Sequence, residues 1–111
     1  MSHHLIILPQ ATEDVRRNAE WWATNHSIEQ AARWIDAVQT QIESISDYPE
    51  SHSLSAENPD FSYEIREKLV GLGSRPRYRA IFTVKEGTVY VLAVRAAQQD
   101  RLTEDQIAFE N

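Results

Sequence analysis

The first third of the chain passes from a short apolar run to apolar residues at helical spacing. Residues 4–8 form an apolar run that Pro9 ends, which predicts a first strand. A helix over about residues 10–25 is predicted next, because apolar side chains recur there at helical intervals: Ala11, Val15, Ala19 and Trp22. Ser27 and Gln30 have the spacing of a capping box and indicate where a second helix begins.

The second predicted helix carries the longest apolar stripe of the chain, formed by Ala31, Trp34, Ile35, Val38, Ile42 and Ile45. Tyr48-Pro49 ends it, because the residue before a proline disfavours the helical conformation. Only a short connection separates the two helices, so we expect them to pack as an antiparallel hairpin. Trp21, Trp22 and Trp34 are interpreted as packing residues of the core and the hairpin.

After residue 60 the apolar residues recur at every second position, which is typical of strands. Residues 50–60, rich in Ser, Asn and Pro, predict an exposed loop before this change. A glycine-containing turn is predicted at residues 71–76 and a hairpin turn at Glu86-Gly87. The three predicted strands cover residues 63–70, 77–84 and 89–95.

The last two predicted strands differ in pattern. The strand over residues 77–84 has two distinct faces: one carries Tyr78, Ala80, Phe82 and Val84, and the other carries Arg77, Arg79, Ile81 and Thr83. The strand over residues 89–95 is almost continuously apolar, as expected of a central strand that is covered on both faces. Thr103 and Gln106 indicate a short final helix.

Together these elements predict an α+β fold with the order β-α-α-β-β-β. It consists of an N-terminal strand, an antiparallel helical hairpin and a three-stranded antiparallel meander. The helical hairpin is the only predicted cover for the sheet, so we expect both helices on one face and a helix-free face opposite. At 111 residues the chain has the size of a single domain, 1–111.

Composition narrows the function classes. The net charge is −6, which argues against general nucleic-acid binding, but residues 66–101 contain eight basic and three acidic residues and form a local basic patch. Because the chain has no cysteine and its four histidines are scattered, we expect no disulfide, no metal site and no cofactor. The apolar run near the N-terminus is too short for a signal peptide or membrane span, so we expect a cytoplasmic protein with no membrane partner.

Several motifs stand in a specific order along the chain: a strand ending at Pro9, Trp21-Trp22, Ala31-Ala32-Arg33-Trp34, Ile42 and Ile45, Tyr48-Pro49, Glu64-Ile65-Arg66-Glu67-Lys68-Leu69, Arg77-Tyr78-Arg79-Ala80-Ile81-Phe82 and Val89-Tyr90-Val91-Leu92-Ala93-Val94-Arg95. In this order they resemble the RelE/ParE toxin superfamily over essentially the whole chain. The resemblance implies a toxin of a type II toxin–antitoxin system, neutralised by a cognate antitoxin. In this superfamily, RelE-like members cleave mRNA in the ribosome, whereas ParE-like members poison DNA gyrase and have no nuclease chemistry.

The residues that RelE-like enzymes use for cleavage are only partly present. The resemblance places Arg79 at the third-strand Arg position and Arg66 where a second-strand Lys is expected. At three further positions the resemblance places a different residue: Glu64 replaces the companion Lys, Ala97 the Arg after the fourth strand, and Thr103 the C-terminal Tyr. A nuclease would have to work with Arg66, Tyr78, Arg79 and Arg95. Because the cationic set is incomplete and the usual acid is missing, we assign no catalytic residue and expect no self-sufficient enzyme.

The favoured interpretation is therefore a ParE-like toxin that inhibits growth through DNA gyrase. The alternatives are a RelE-like, ribosome-dependent mRNA endonuclease with the ribosome and mRNA as partners, and a non-toxic interaction module of the same fold. Arg66, Arg79 and Arg95 are expected to gather on the helix-free face as a docking surface. The predicted residues for binding a target or antitoxin are Arg66, Lys68, Arg77, Arg79, Arg95 and Arg101. The sequence leaves a homodimer open.

Overall fold

The computed structural model describes residues 3–97 and 101–107. These contain the helices α1 (Pro9–Asn25) and α2 (Ile28–Glu43) and the strands β1 (His4–Ile7), β2 (Arg66–Val70), β3 (Tyr78–Lys85) and β4 (Thr88–Ala96). The predicted α+β class and the order β-α-α-β-β-β are confirmed. The last predicted helix is a single 3₁₀ turn, Glu104–Gln106, which has the predicted capping box of Thr103 and Gln106. Neither α1 nor α2 has the length and apolar character that crossing a bilayer requires.

The sheet contains four strands in the order β1-β4-β3-β2. β2, β3 and β4 form the predicted antiparallel meander, and β1 pairs with β4 in parallel. Both helices pack on one face, where they bury a core that includes Trp34, Val38 and Ile42. The predicted N-cap of α2 is confirmed, because Ser27 Oγ accepts a hydrogen bond from the Gln30 amide at 3.0 Å.

Polar side chains of α1 hold the outer edge of β4 where β1 no longer covers it. The Gln10 amide donates to the Leu92 carbonyl at 2.9 Å, and the Asp14 carboxylate accepts from the Val94 amide at 3.0 Å. Asp14 is only 6% exposed, and its second oxygen accepts from Arg17. An unpaired strand edge leaves backbone groups without hydrogen-bond partners. Here two side chains of α1 supply partners to two of these groups.

A β-bulge in β4 decides which face Arg95 occupies. Ile81 pairs with Ala93 but Phe82 pairs with Val91, so Leu92 is an extra residue in β4. Leu92 and Ala93 consequently both pack on the face away from the helices, and the strand alternation shifts by one residue after them. Strict alternation from Val89 and Val91 would place Arg95 against the helices, whereas the bulge places it on the far face.

Both α-helices lie on one face as predicted, but the far face is covered as well, which corrects the prediction that it is open as a docking surface. A second core of buried residues lies there, formed by Leu8, Ile65, Ile81, Leu92, Ala93 and Leu102. Two segments without α-helix, residues 53–65 and 101–107, supply its cover. The prediction of an exposed loop over residues 50–60 was accordingly wrong in part, because Ser55 and Glu57 are only 3% and 1% exposed. Two apolar faces on the central strands both need cover, and coil segments can provide it as well as helices.

The role of Asp14 leads to a first prediction. Asp14→Ala should lower the free energy of unfolding by about 1–3 kcal/mol, because the buried Val94 amide loses its acceptor. Glu13→Ala is the matched control: Glu13 is exposed and pairs with Arg16 on the helix surface, so we expect a much smaller loss than for Asp14→Ala. Urea unfolding of the two variants measures the difference, and equal losses would contradict the role of Asp14.

Candidate functional site

Arg79 lies on the far face of β3, where two carboxylates bind its guanidinium. Its Nη1 and Nη2 donate to the two oxygens of Glu57 at 2.8 and 2.9 Å, and Nη1 also donates to Glu67 at 3.0 Å. Arg79 is 7% exposed. These hydrogen bonds raise the pKa of Arg79, with the Glu57 contact as the largest cause. The expectation that Arg79 contributes an accessible cation to a docking surface is therefore wrong, because Glu57, in the segment between α2 and β2, binds that guanidinium.

Glu57 connects three separate parts of the chain. Besides Arg79 of β3, its carboxylate accepts hydrogen bonds from the Ser55 hydroxyl at 2.6 Å and from the Leu102 amide at 2.9 Å. Burial by itself would raise the pKa of Glu57, but the hydrogen bonds from Arg79, Leu102 and Ser55 outweigh it and lower the pKa to about 2. Glu57 thus stays ionised and joins the loop, the sheet and the C-terminal segment.

Glu57→Gln tests this arrangement through its pH dependence. A carboxyl whose pKa is lower in the folded chain stabilises the fold above its unfolded pKa, and that contribution is lost as the pH falls toward the folded value. The unfolded value is near 4.5 and the folded one about 2. Glu57→Gln should lower the free energy of unfolding by roughly 3 kcal/mol at pH 7. It should also weaken the loss of stability between pH 5 and pH 2.

The matched control is Glu64→Gln, the same substitution at an exposed carboxylate that lies 3.1 Å from Arg66. It should change the free energy of unfolding by less than about 1 kcal/mol at pH 7. Urea unfolding at several pH values measures both variants. A Glu57→Gln variant with wild-type stability and wild-type acid sensitivity would rule out the proposed role of the carboxylate.

Arg66 and Lys68 lie on the opposite side of the sheet from Arg79. They pair across β2 and β3 with Phe82 and Ala80, both of which belong to the core beneath the helices. Side chains directly opposite each other in antiparallel strands share a face, so Arg66 cannot join Arg79 on the far face. The predicted grouping of Arg66 with Arg79 and Arg95 was therefore wrong. Alternation along β2 from the buried Val70 also assigns Arg66 to the helix side.

Two other predicted basic residues, Arg95 and Arg101, belong to the far side. Arg95 is directly opposite Arg79 in β4, and its guanidinium donates to Gln106 at 3.3 Å. Arg101 pairs with Asp60 at 3.0 Å on the exposed surface. Glu57 and Asp60, which both precede β2, thus neutralise part of the predicted basic patch. Arg77 is exposed where β3 begins, and its side chain makes no ion pair with any residue in the described part of the chain.

The four residues that a nuclease would need are not brought together. The Tyr78 hydroxyl accepts a hydrogen bond from Trp22 at 3.2 Å on the helix side, and its ring lies 5.0 Å from that of Trp34. Arg66, on the same side, pairs with Phe82, four residues along β3 and therefore roughly 13 Å from Tyr78. Arg79 and Arg95 lie on the other face. Among the described residues, the side chains bonded to the Arg79 guanidinium are those of Glu57 and Glu67.

Two features of the site were missed by sequence reasoning. Glu57 lies in a polar segment that is typical of a loop. Its only sequence signal is a charge imbalance, since residues 1–62 contain ten acidic and three basic residues, whereas residues 63–111 contain seven acidic and eight basic ones. Trp21, predicted to pack in the core or the hairpin, packs against Trp22 and His26 but lies outside the core and is 50% exposed. Trp34 is confirmed as a core residue with no exposed surface.

With this geometry established, comparison with known proteins identifies the family. The family model described as the ParE toxin of the type II toxin–antitoxin system parDE matches residues 5–101. The chain belongs to the ParE toxin family. Its place in the RelE/ParE superfamily, predicted from the ordered motifs, is thereby confirmed. No curated protein sequence matches it.

Two solved structures share the ParE fold of this chain. The chromosomal ParDE toxin–antitoxin system from P. aeruginosa contains a chain that superposes with a TM-score of 0.73, covering 87% of this chain and 98% of that chain at 15% identity. A mutant of the E. coli toxin RelE in the free state superposes with a TM-score of 0.54, covering 88% of this chain and 86% of that chain at 18% identity. At these identities the likeness concerns the fold alone.

Proposed function

We propose that this ParE family toxin inhibits bacterial growth without catalysing a reaction, by binding DNA gyrase, and that a cognate antitoxin neutralises it. The observation that supports this most strongly is the state of Arg79. A nuclease needs an accessible cation there to stabilise the charge that develops on the phosphate. Here Glu57 holds the guanidinium in a buried, bidentate pair, which leaves little positive field for a phosphate.

The rival function, a ribosome-dependent mRNA endonuclease of the RelE kind, has the likeness to the RelE fold in its favour. Its chemistry would require a base for the 2′-hydroxyl and an acid for the leaving oxygen close to the same phosphate. Tyr78 is the nearest candidate acid in the sequence, but it lies on the helix side, bonded to Trp22. A binding toxin needs no such set and is the simpler account of this site.

The five predicted basic residues other than Arg79 remain the proposed contacts to a target or antitoxin. Arg77 and Arg101 are exposed, and three are half-buried: Arg66, Lys68 and Arg95. The burial of Arg79 favours a structural role for that residue. Lys68 and Arg77 are best placed, because neither forms an ion pair within residues 3–97 and 101–107. Exposed cations that lack an internal partner are free to meet an acidic surface.

Induced expression in bacteria tests the proposed function directly. Expression of the chain alone should stop growth and change plasmid supercoiling, and co-expression of the protein from the neighbouring reading frame should restore growth. Purified protein should inhibit gyrase supercoiling in vitro. Codon-linked cuts in ribosome-bound mRNA without an effect on gyrase would favour the nuclease, and normal growth on expression would favour a non-toxic interaction module.

A paired substitution separates binding from catalysis at Arg79. Glu57→Gln combined with Arg79→Gln replaces the ion pair with two amides, so that neither member of the buried pair is charged and no guanidinium remains at position 79. We expect this double variant to stop growth as the wild type does, with circular dichroism as the check of folding. Tyr78→Phe, which keeps the ring on Trp34, should also remain toxic. Loss of toxicity in a folded form of either variant would contradict the non-catalytic account.

A further inference from the structure

An open cavity of about 410 Å³ lies where the end of α1 meets the loop between β2 and β3. Its walls are mainly aromatic and aliphatic, from Trp21, Trp22, Leu72 and Tyr78, and two arginines, Arg75 and Arg77, line it as well. We call these six residues the aromatic–arginine pocket. The volume is within the range of about 300–1,000 Å³ that is common for ligand sites.

The aromatic wall is held in place by contacts that lead into the core. Trp22 donates from Nε1 to the Tyr78 hydroxyl at 3.2 Å, and the Tyr78 ring lies 5.0 Å from fully buried Trp34. Trp21 packs edge-on against Trp22 with ring centroids 5.7 Å apart, yet half of its surface remains exposed. A large apolar side chain held rigidly at the surface loses little conformational entropy on binding, which favours a binding role.

The opposite wall is fixed by α2. The Gln41 side chain accepts from the Gly71 amide at 2.8 Å and donates to the Gly71 carbonyl at 3.0 Å. Gly71 has a φ of 135°, a conformation that other residues rarely adopt. This anchor holds the loop that carries Leu72 and Arg75 against the helices. The pocket is therefore built from both sides before a ligand arrives.

The charge of the pocket is unpaired, unlike that of three other arginines of the basic patch. Arg66, Arg79 and Arg101 are paired with Glu64, Glu57 and Asp60, respectively. By contrast, the guanidinium groups of Arg75 and Arg77 make neither a hydrogen bond nor an ion pair in the part of the chain that the structure describes, and both residues are exposed. An apolar cavity with two unpartnered cations beside it is complementary to an apolar side chain next to a carboxylate.

The surface continues beyond this cavity on two sides. A cavity of about 470 Å³ shares Arg75 and Arg77 with it, and another of about 440 Å³ shares Trp21 and extends to Arg95. This extent fits a polypeptide segment better than one small molecule. Nucleic acid is disfavoured, because the chain carries a net charge of −6 and Glu20 lines the third cavity.

We propose that the aromatic–arginine pocket anchors a large apolar side chain of an acidic protein segment, with a neighbouring carboxylate bound by Arg75 and Arg77. The inference rests on the proposed function in one respect, namely that the segment belongs to the neutralising partner. Trp21 is the central aromatic contact, since it lines two of the three cavities whereas Trp22 and Tyr78 line one. A buried aromatic anchor with flanking charge pairs is a common arrangement in protein interfaces.

A random peptide library displayed on phage, selected on the immobilised full-length protein, tests the proposal. The enriched peptides should contain Phe, Trp, Leu or Met with Asp or Glu within four positions. Trp21→Ala and Arg77→Glu should each raise the dissociation constant of these peptides about tenfold or more. Tyr48→Ala and Arg33→Glu are matched controls at exposed positions outside the pocket and should leave the constant unchanged. Absence of binders, or binders indifferent to Trp21, would overturn the proposal.

A charge reversal determines whether the cations select the ligand. Selection on the Arg75→Glu/Arg77→Glu variant should enrich peptides in which Lys or Arg replaces the acidic residue beside the same kind of apolar anchor. A single-stranded DNA oligonucleotide serves as a competing polyanion. Tighter binding of the oligonucleotide than of the acidic peptides, with loss in the Arg75→Glu/Arg77→Glu variant, would assign the pocket to nucleic acid and refute the proposal.

These binding measurements use purified protein and do not depend on toxicity. If expression of the wild-type chain never stops growth, the proposed function fails while the peptide result still stands. If growth stops but the selection yields no pocket-dependent acidic peptide, the inference alone fails.

Discussion

The core on the far face of the sheet, opposite the two α-helices, depends on one buried ion pair. Glu57 and Arg79 are 1% and 7% exposed and bind each other through two parallel hydrogen bonds. Removing water from both charges is costly, and the pair is tolerable because Ser55, Glu67 and the Leu102 amide supply further partners. Through these contacts two coil segments are held over the apolar residues on the helix-free side of the sheet. A single missing partner would leave an uncompensated buried charge in that core.

The Glu57–Arg79 ion pair also bears on the proposed function. The third-strand arginine that a RelE-like nuclease would present to RNA serves here as the counter-ion of a loop carboxylate. The basic patch therefore contains two kinds of residue. Arg79 is neutralised within the protein, whereas Arg75 and Arg77 line the aromatic–arginine pocket and make no ion pair with the described residues.

Local patterns predicted the elements, and long-range contacts decided the rest. The Ser27 cap, the apolar stripe of α2 and the alternation in β3 are properties of neighbouring residues, so the order β-α-α-β-β-β could be read from the chain. The bulge at Leu92 cannot be read from a continuously apolar strand, yet it determines the face of Arg95. Glu57 is 22 residues from Arg79, and nothing in its own polar segment indicates burial.

The most direct test is a double-mutant cycle on the free energy of unfolding with Glu57→Gln, Arg79→Gln and both together. The account predicts that each single substitution costs roughly 3 kcal/mol, while the double variant costs little more than one of them, since both charges leave together. The coupling energy should therefore be at least about 2 kcal/mol. Additive losses, with a coupling energy near zero, would contradict the claim that Glu57 holds Arg79 inside the fold.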